Sequence, residues 1–218
     1  MNFVFPSNFV YWNSIPNHQE IKEKYYNKLL TVSKNWDNNP YFYTNFTSSF
    51  RDYQNTTVNE EIKRDSSFLQ SVIWNPIDKM LSDNFFNGII PEYSELSELW
   101  FNVYKPGESQ EVHEHNGYYT NIQGKHVCSS YSGIYILHSE ESNKTVFYQP
   151  APCPGTPVSG SVNYKTDHIE EGNVIIFPST LLHYVLPCEK SRVTIAFNIL
   201  STFNSETKER HPFKKIDQ

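Results

Sequence analysis

Asn173-Val174-Ile175-Ile176-Phe177-Pro178-Ser179-Thr180-Leu181-Leu182-His183-Tyr184-Val185-Leu186-Pro187 reads as an apolar strand, a short break and a second strand. Runs of Val and Ile bounded by Pro and Ser suit the half-buried, pleated surface of a sheet. His183 stands inside this apolar run. A buried imidazole needs partners for its ring nitrogens, and a metal ion is one such partner. Downstream, Arg192-Val193-Thr194-Ile195-Ala196-Phe197-Asn198-Ile199 alternates cleanly. Val193, Ile195, Phe197 and Ile199 share one face, and Arg192, Thr194, Ala196 and Asn198 share the other. The short polar segment 187–191 predicts a hairpin, which would set Thr194 or a neighbour beside His183 and Arg192 near Val185. That spacing puts Arg192 about 7 Å from the metal. A guanidinium on an inward face is a fork suited to a carboxylate.

Upstream, Val112-His113-Glu114-His115 supplies two more imidazoles. In an extended segment residues i and i+2 point to the same side, so His113 and His115 converge while Glu114 points away. His183 is the candidate third ligand. From Leu96 onward the chain is short apolar stretches separated by Pro, Gly and Ser, with candidate strands at 97–104, 110–115, 127–138, 144–149, 156–164, 172–177, 181–186 and 191–200. Eight short strands in succession predict a double-sheet jelly roll, a double-stranded β-helix of the cupin-like kind. The interval 116–130 reads as turns around 116–119 and 121–125, a loop rooted beside a metal ligand and so a candidate lid. His126 is not expected to be a ligand.

The first 95 residues have a different texture. Residues 8–12 read as a short strand. Asn17, with Glu20 three residues on, is a candidate cap for a helix whose apolar stripe is Ile21, Tyr25, Leu29 and Val32. The aromatic stretch 41–50 is strand-prone, and 52–65 reads as polar loop with a helical turn. A second helix starts at Ser66-Ser67, and Pro76 should kink it or restart it. These helices are expected to buttress one sheet. The chain divides into an N-terminal elaboration (1–95), a β core (96–200) and a C-terminal tail (201–218), together one compact domain.

Composition narrows the function. The 218 residues carry 18 Lys and Arg against 24 Asp and Glu, a net charge of −6, with no basic run. Nucleic acid is therefore not an expected partner. Fifteen Tyr and 15 Phe indicate an aromatic-rich core and pocket. Cys128, Cys153 and Cys188 form neither a disulfide framework nor a Cys-x-x-Cys zinc site, which points to a reducing cytoplasm. No signal peptide or membrane span is expected. Asn45, Asn55 and Asn143 head Asn-x-Thr triplets, which chance supplies in an Asn-rich chain.

The order Trp100-Phe101-Asn102-Val103-Tyr104, Gly107, His113-Glu114-His115, Ser132-Gly133-Ile134-Tyr135, Phe177-Pro178-Ser179, His183, Pro187, Arg192 and Phe197-Asn198 resembles the Fe(II)/2-oxoglutarate-dependent oxygenases. It is most similar to a branch common in phages and marine bacteria that often writes His-x-His for His-x-Asp. The resemblance covers residues 98–200. It implies Fe(II) held by the catalytic candidates His113, His115 and His183. It also implies 2-oxoglutarate bound through its keto acid end, with Arg192, helped by Thr194, on its far carboxylate. With O2 the product would be a hydroxylated C–H bond, plus succinate and CO2. Tyr135 or Tyr131, and Asn102 or Tyr104, are candidate further donors to that carboxylate; Asn198 reads as a core amide. The substrate, a protein residue or a small metabolite, is left open. His115 stands where the commoner triad has a carboxylate. Two alternatives therefore stay open: a three-histidine thiol dioxygenase of the cupin type, and a non-redox metal-binding jelly roll that recognises a carboxylate or sugar.

Overall fold

Residues 8–34, 47–48, 57–82, 91, 93–115, 119–122, 125–149 and 162–202 are described by a computed structural model of the chain. Two antiparallel sheets face each other, with helices over the outer face of the larger one. The larger sheet runs β1 (Tyr11–Ser14), β9 (Asn173–Pro178), β6 (Lys125–Ser139), β11 (Arg192–Thr202), β3 (Tyr93–Tyr104), β2 (Thr47–Ser48), with β5 (Tyr119–Ile122) paired to β6 beyond it. The smaller sheet runs β4 (Gln110–His113), β10 (His183–Val185), β7 (Thr145–Gln149), β8 (Val162–Lys165). This is the double-stranded β-helix with buttressing helices. Because β1 and β2 pair with β9 and β3, the N-terminal part is continuous with the core sheet.

β11 is the central strand, and its alternation organises the packing. Val193, Ile195, Phe197 and Ile199 join a core with Leu99, Phe101 and Val103 of β3, Tyr131, Tyr135 and Leu137 of β6, and the helices. Those helices are α1 (His18–Ser33), α2 (Thr57–Arg64), α3 (Ser66–Phe68) and α4 (Asn75–Ser82). A second core, between the sheets, joins Ile134, Ile136, Ile175 and Phe177 to Phe147. Gly133 lies opposite Phe197, and a Cβ there would sit 2.1 Å from the Phe197 ring. Only a residue without a side chain lets that ring lie across β6.

Several local expectations change. Asn17 makes no capping hydrogen bond; α1 buries Ile21, Tyr25, Leu29 and Ser33, with Val32 at the margin. Residues 57–64 are a full helix, and Asp65 caps the next one by accepting from the Ser67 and Phe68 amides. Pro76 acts through the turn before it. Leu69–Trp74 is π-helical, with the Asn75 amide reaching the Gln70 carbonyl, so the widened turn leads into α4 where proline has no N–H to give.

The hairpin at 187–191 does not form. β10 and β11 lie in different sheets, and Thr194 pairs with Asn102 and Ile136, not beside His183. The connecting backbone is held elsewhere. Leu186 N–H donates to the Lys144 carbonyl and Cys188 N–H to the Glu108 carbonyl, and Glu189 and Lys190 N–H both donate to Glu141. Donors captured by other loops cannot close a two-strand ladder. Residues 121–122, expected as turn, pair in β5 with 125–126 of β6. Residues 116–118 and the His126 side chain lie outside the described residues, as do 41–46, Asn45, Asn55 and most of the expected strand 156–164. Among the described residues no helix is long and apolar enough to cross a membrane.

Candidate metal and carboxylate site

His113 and His183 are direct partners across the β4–β10 pair. His115 follows β4 in a bend fixed by its own N–H donating to the Ser179 carbonyl at 2.8 Å. The expected convergence results. Ring centroids are 5.2 Å (His113–His115), 4.2 Å (His113–His183) and 5.0 Å (His115–His183) apart. One ring nitrogen from each lies within 4.8 Å of the other two. His183 is buried and the other two half-buried.

The opposite nitrogens are all engaged. His113 Nδ1 lies 2.8 Å from the Glu111 carbonyl, His183 Nδ1 3.0 Å from the Leu181 carbonyl, and His115 Nδ1 2.8 Å from Asn198 Oδ1. Each partner is an acceptor, so each imidazole carries its proton on Nδ1 and turns the Nε2 lone pair inward. Gln110 places its amide nitrogen 3.2 Å from His113 Nε2. Burial lowers the basicity of all three rings. His115 is held down to about 3, by burial first and then by the proximity of His113, against the opposing hydrogen bond from Asn198. His113 is lowered by burial, and His183 is pushed well down by burial and by both neighbours. Neutral imidazoles with a common focus are a ligand set for a divalent transition metal.

The three rings open onto a pocket whose lining also includes Trp100, Asn102, Tyr104, Thr145, Arg192 and Thr194. Arg192 is 1% exposed, the largest fully buried side chain described. Its Nη2 donates to Asn143 Oδ1 (2.9 Å) and Thr145 Oγ1 (2.8 Å), its guanidinium lies 5.2 Å from the Tyr104 ring centroid, and its Nε has no partner among the described residues. No carboxylate among the described residues pairs with it. A fully buried, permanently charged cation held by neutral groups is arranged for an anion that arrives with a ligand.

The structure brings His113, His115, His183, Arg192, Thr194 and Asn102 to this pocket. Asn102 Oδ1 accepts from Ser48, and its Nδ2 lies 3.5 Å from Thr194 Oγ1. Tyr135 and Tyr131 are not there. Both face the helices, and the Tyr135 hydroxyl meets His18 Nδ1 at 2.7 Å. Tyr131 and Tyr135 pair with Ile199 and Ile195 on the outer face of β11, which takes both phenols away from the guanidinium. Tyr104 is the phenol on the correct side, and its hydroxyl donates to Gln110 at 2.8 Å.

Sequence reading missed Gln110, Asn143, Thr145 and Glu98. Asn143 and Thr145 had been seen only as part of an Asn-x-Thr triplet, yet Asn143 is 4% exposed and spent on Arg192. Glu98 carried a usable signal, an acid at an inward position of a strand that continues Trp100, Asn102 and Tyr104. Asn198, read as a core amide, binds His115.

Residues 98–198 match the family described as "Putative 2OG-Fe(II) oxygenase". Among solved structures the chain is similar to a prolyl-4-hydroxylase from Pseudomonas putida (10% identity, covering 89% of this chain and 93% of that one, TM-score 0.51). It is also similar to a Trichoplax adhaerens prolyl hydroxylase in complex with a hypoxia inducible factor oxygen degradation domain peptide fragment (12% identity, 90% and 83%, TM-score 0.52). A third is HygX from Streptomyces hygroscopicus with nickel and 2-oxoglutarate bound (16% identity, 90% and 84%, TM-score 0.52). At these identities the likeness is one of fold. No curated protein matches significantly.

Proposed function

We propose, from the match of residues 98–198 to the 2OG-Fe(II) oxygenase family model together with the site, that the chain is such an oxygenase, in which His113, His115 and His183 hold Fe(II) while Arg192 holds the far carboxylate of 2-oxoglutarate. The observation that carries this reading is the shared pocket. Three inward Nε2 lone pairs and a buried guanidinium with no carboxylate paired to it among the described residues line the same pocket. The donor set fits the ion: three neutral imidazoles, each with its tautomer fixed by an oxygen acceptor behind it. When bound, Fe(II) with 2-oxoglutarate supplies the oxidising chemistry of the family, which consumes O2, releases succinate and CO2 and hydroxylates a substrate C–H bond.

The rest is the work of side chains. Asn143 and Thr145 fix Nη2 and so set the plane of the Arg192 guanidinium, with the Tyr104 ring against it. A bidentate fork in a fixed plane orients a dicarboxylate at its far end. The Thr194 hydroxyl and Asn102 amide stand on the same pocket wall as polar partners for that carboxylate. Gln110, its amide nitrogen 3.2 Å from His113 Nε2 and its amide oxygen held by the Tyr104 hydroxyl, would stand beside a metal bound there and could offer an N–H to the cosubstrate. Trp100, its ring centroid 5.3 Å from that of His115, and Ile134 keep the focus dry. Residues 98–198 with their helical buttress act as one catalytic domain. Cys188, buried and unpaired, is in keeping with a reducing, cytoplasmic setting.

The test is anaerobic addition of 2-oxoglutarate to the Fe(II) protein, followed by its charge-transfer absorption, then succinate release on admitting air. No absorption at millimolar 2-oxoglutarate, with oxidation of a thiol instead, would replace this reading with that of a three-histidine thiol dioxygenase.

A further inference from the structure

Glu98 is an acid where burial opposes one. It is 4% exposed on the inward face of β3, and its Oε1 is buried without a hydrogen-bond partner among the described residues. Burial pushes its carboxyl up, and Asn198 and the field of Lys63 only partly oppose that. Its Oε2 accepts from Asn198 Nδ2 at 2.5 Å, and Asn198 Oδ1 accepts from Ser132 Oγ at 2.7 Å as well as from His115. The amide is therefore oriented from both ends. The Asn198 amide nitrogen faces Glu98 and the amide oxygen faces Ser132 and His115. That orientation forces the His115 proton onto Nδ1 and leaves Nε2 for a ligand.

We propose that Glu98 is the counter-charge of the divalent metal, carried one residue beyond the ligand, and that Asn198 is the positioning residue that couples it to His115. A site with two histidines and a carboxylate meets the cation with one negative charge directly. Here the ligands are neutral, and the charge stands behind an amide instead. This rests on the three-histidine reading of the site.

The experiment is Co(II) titration of the full chain, read by Co(II) absorption, for wild type, Glu98→Gln, the exchange variant Glu98→Gln/Asn198→Asp, and His183→Ala. Glu98→Gln keeps the shape and an acceptor but loses the charge, and its affinity should fall about tenfold, within the range found when such outer partners are changed. The exchange variant reverses the Glu98–Asn198 hydrogen bond and moves the charge next to His115. It should bind Co(II) at least as tightly as wild type. In the zinc-loaded protein the His115 Nδ1–H resonance should move upfield in Glu98→Gln and return in the exchange variant, a response that packing alone does not produce. Affinity of Glu98→Gln within threefold of wild type, or an exchange variant no tighter than Glu98→Gln, would overturn the proposal. If His183→Ala binds Co(II) like wild type, the ligand assignment itself falls and takes this proposal with it. Loss of binding in His183→Ala beside an unchanged Glu98→Gln sinks the counter-charge alone.

Discussion

Replacing Arg192 by alanine leaves the far carboxylate of 2-oxoglutarate in a buried pocket without its cation. The guanidinium is 1% exposed and no carboxylate among the described residues pairs with it, the field of Glu141 reaching it only from beyond contact, so solvent screening is weak. Truncating one partner of such a buried pair costs roughly 2–5 kcal/mol. In affinity that is about thirty-fold to several thousand-fold. Asn143 and Thr145 also lose a donor, so the variant should melt at a lower temperature, and binding is read only well below its transition. Arg192→Lys should recover part of the loss, since a point charge cannot keep both the Asn143 and Thr145 bonds and the bidentate fork. The assay is anaerobic calorimetry with 2-oxoglutarate on the Co(II)-loaded protein, with Co(II) affinity measured alongside. The metal should bind within a few-fold of wild type, because no ligand has changed. Arg192→Ala binding 2-oxoglutarate within threefold of wild type would refute the reasoning and move attention to Asn102 and Thr194.

His183→Ala should abolish stoichiometric Fe(II) binding, while His115→Asp, which rebuilds the commoner triad, should retain it; metal analysis after desalting reads both. Metal affinity should be nearly flat between pH 7.5 and 6.0. Three imidazoles of ordinary pKa 6.5 would lose about fifty-fold over that interval, but burial keeps these neutral to lower pH, so a loss above about tenfold would contradict the pocket described. Gly133→Ala should destabilise by about 3 kcal/mol, because the Cβ meets the Phe197 ring at 2.1 Å, and Phe197→Leu in the same chain should return part of it in urea unfolding. Glu171 is pushed up by burial but held lower still by Lys22, the Ser139 amide and His18, at about 2 against 4.5. Its folded pKa is depressed, so its contribution of about 3 kcal/mol is present above pH 4.5 and lost as pH falls towards 2. Glu171→Gln should therefore weaken the protein at pH 7 and flatten its acid unfolding.

What could be read from the chain was what repeats with the period of a strand. The alternation of 192–199 assigned Arg192, Thr194 and Asn198 to one face correctly, and the i, i+2 rule brought His113 and His115 together. What could not be read was which strands are neighbours. A short polar segment after His183 looks the same whether it closes a hairpin or crosses between sheets, and here Glu141, Lys144 and Glu108, all distant in sequence, hold it in the crossing. Partners of Arg192 were hidden for the same reason. Asn143 and Thr145 stand 49 and 47 residues away, just before and at the start of β7, whose neighbour the alternation does not name. Tyr135 was misplaced because sharing a strand with pocket residues does not fix which of two faces is the pocket.

Strand β11 is a two-sided ruler: one set of divisions measures out the hydrophobic interior and the other the chemistry, with no residue to spare between them. Its tolerance to mutation is accordingly lopsided. Exchanging Val193 for isoleucine or Ile195 for valine alters a volume. Adding or deleting one residue after Arg192 would turn every later side chain through the sheet, pushing Thr194 and Asn198 among the helices and Phe197 into the pocket. Pairing shifts lie between Val193 and Thr194 against β6 and between Asn198 and Ile199 against β3, and at each the extra residue belongs to the partner strand. The five positions from Thr194 to Asn198, between those shifts, form a segment in which substitutions can accumulate one at a time while length stays fixed.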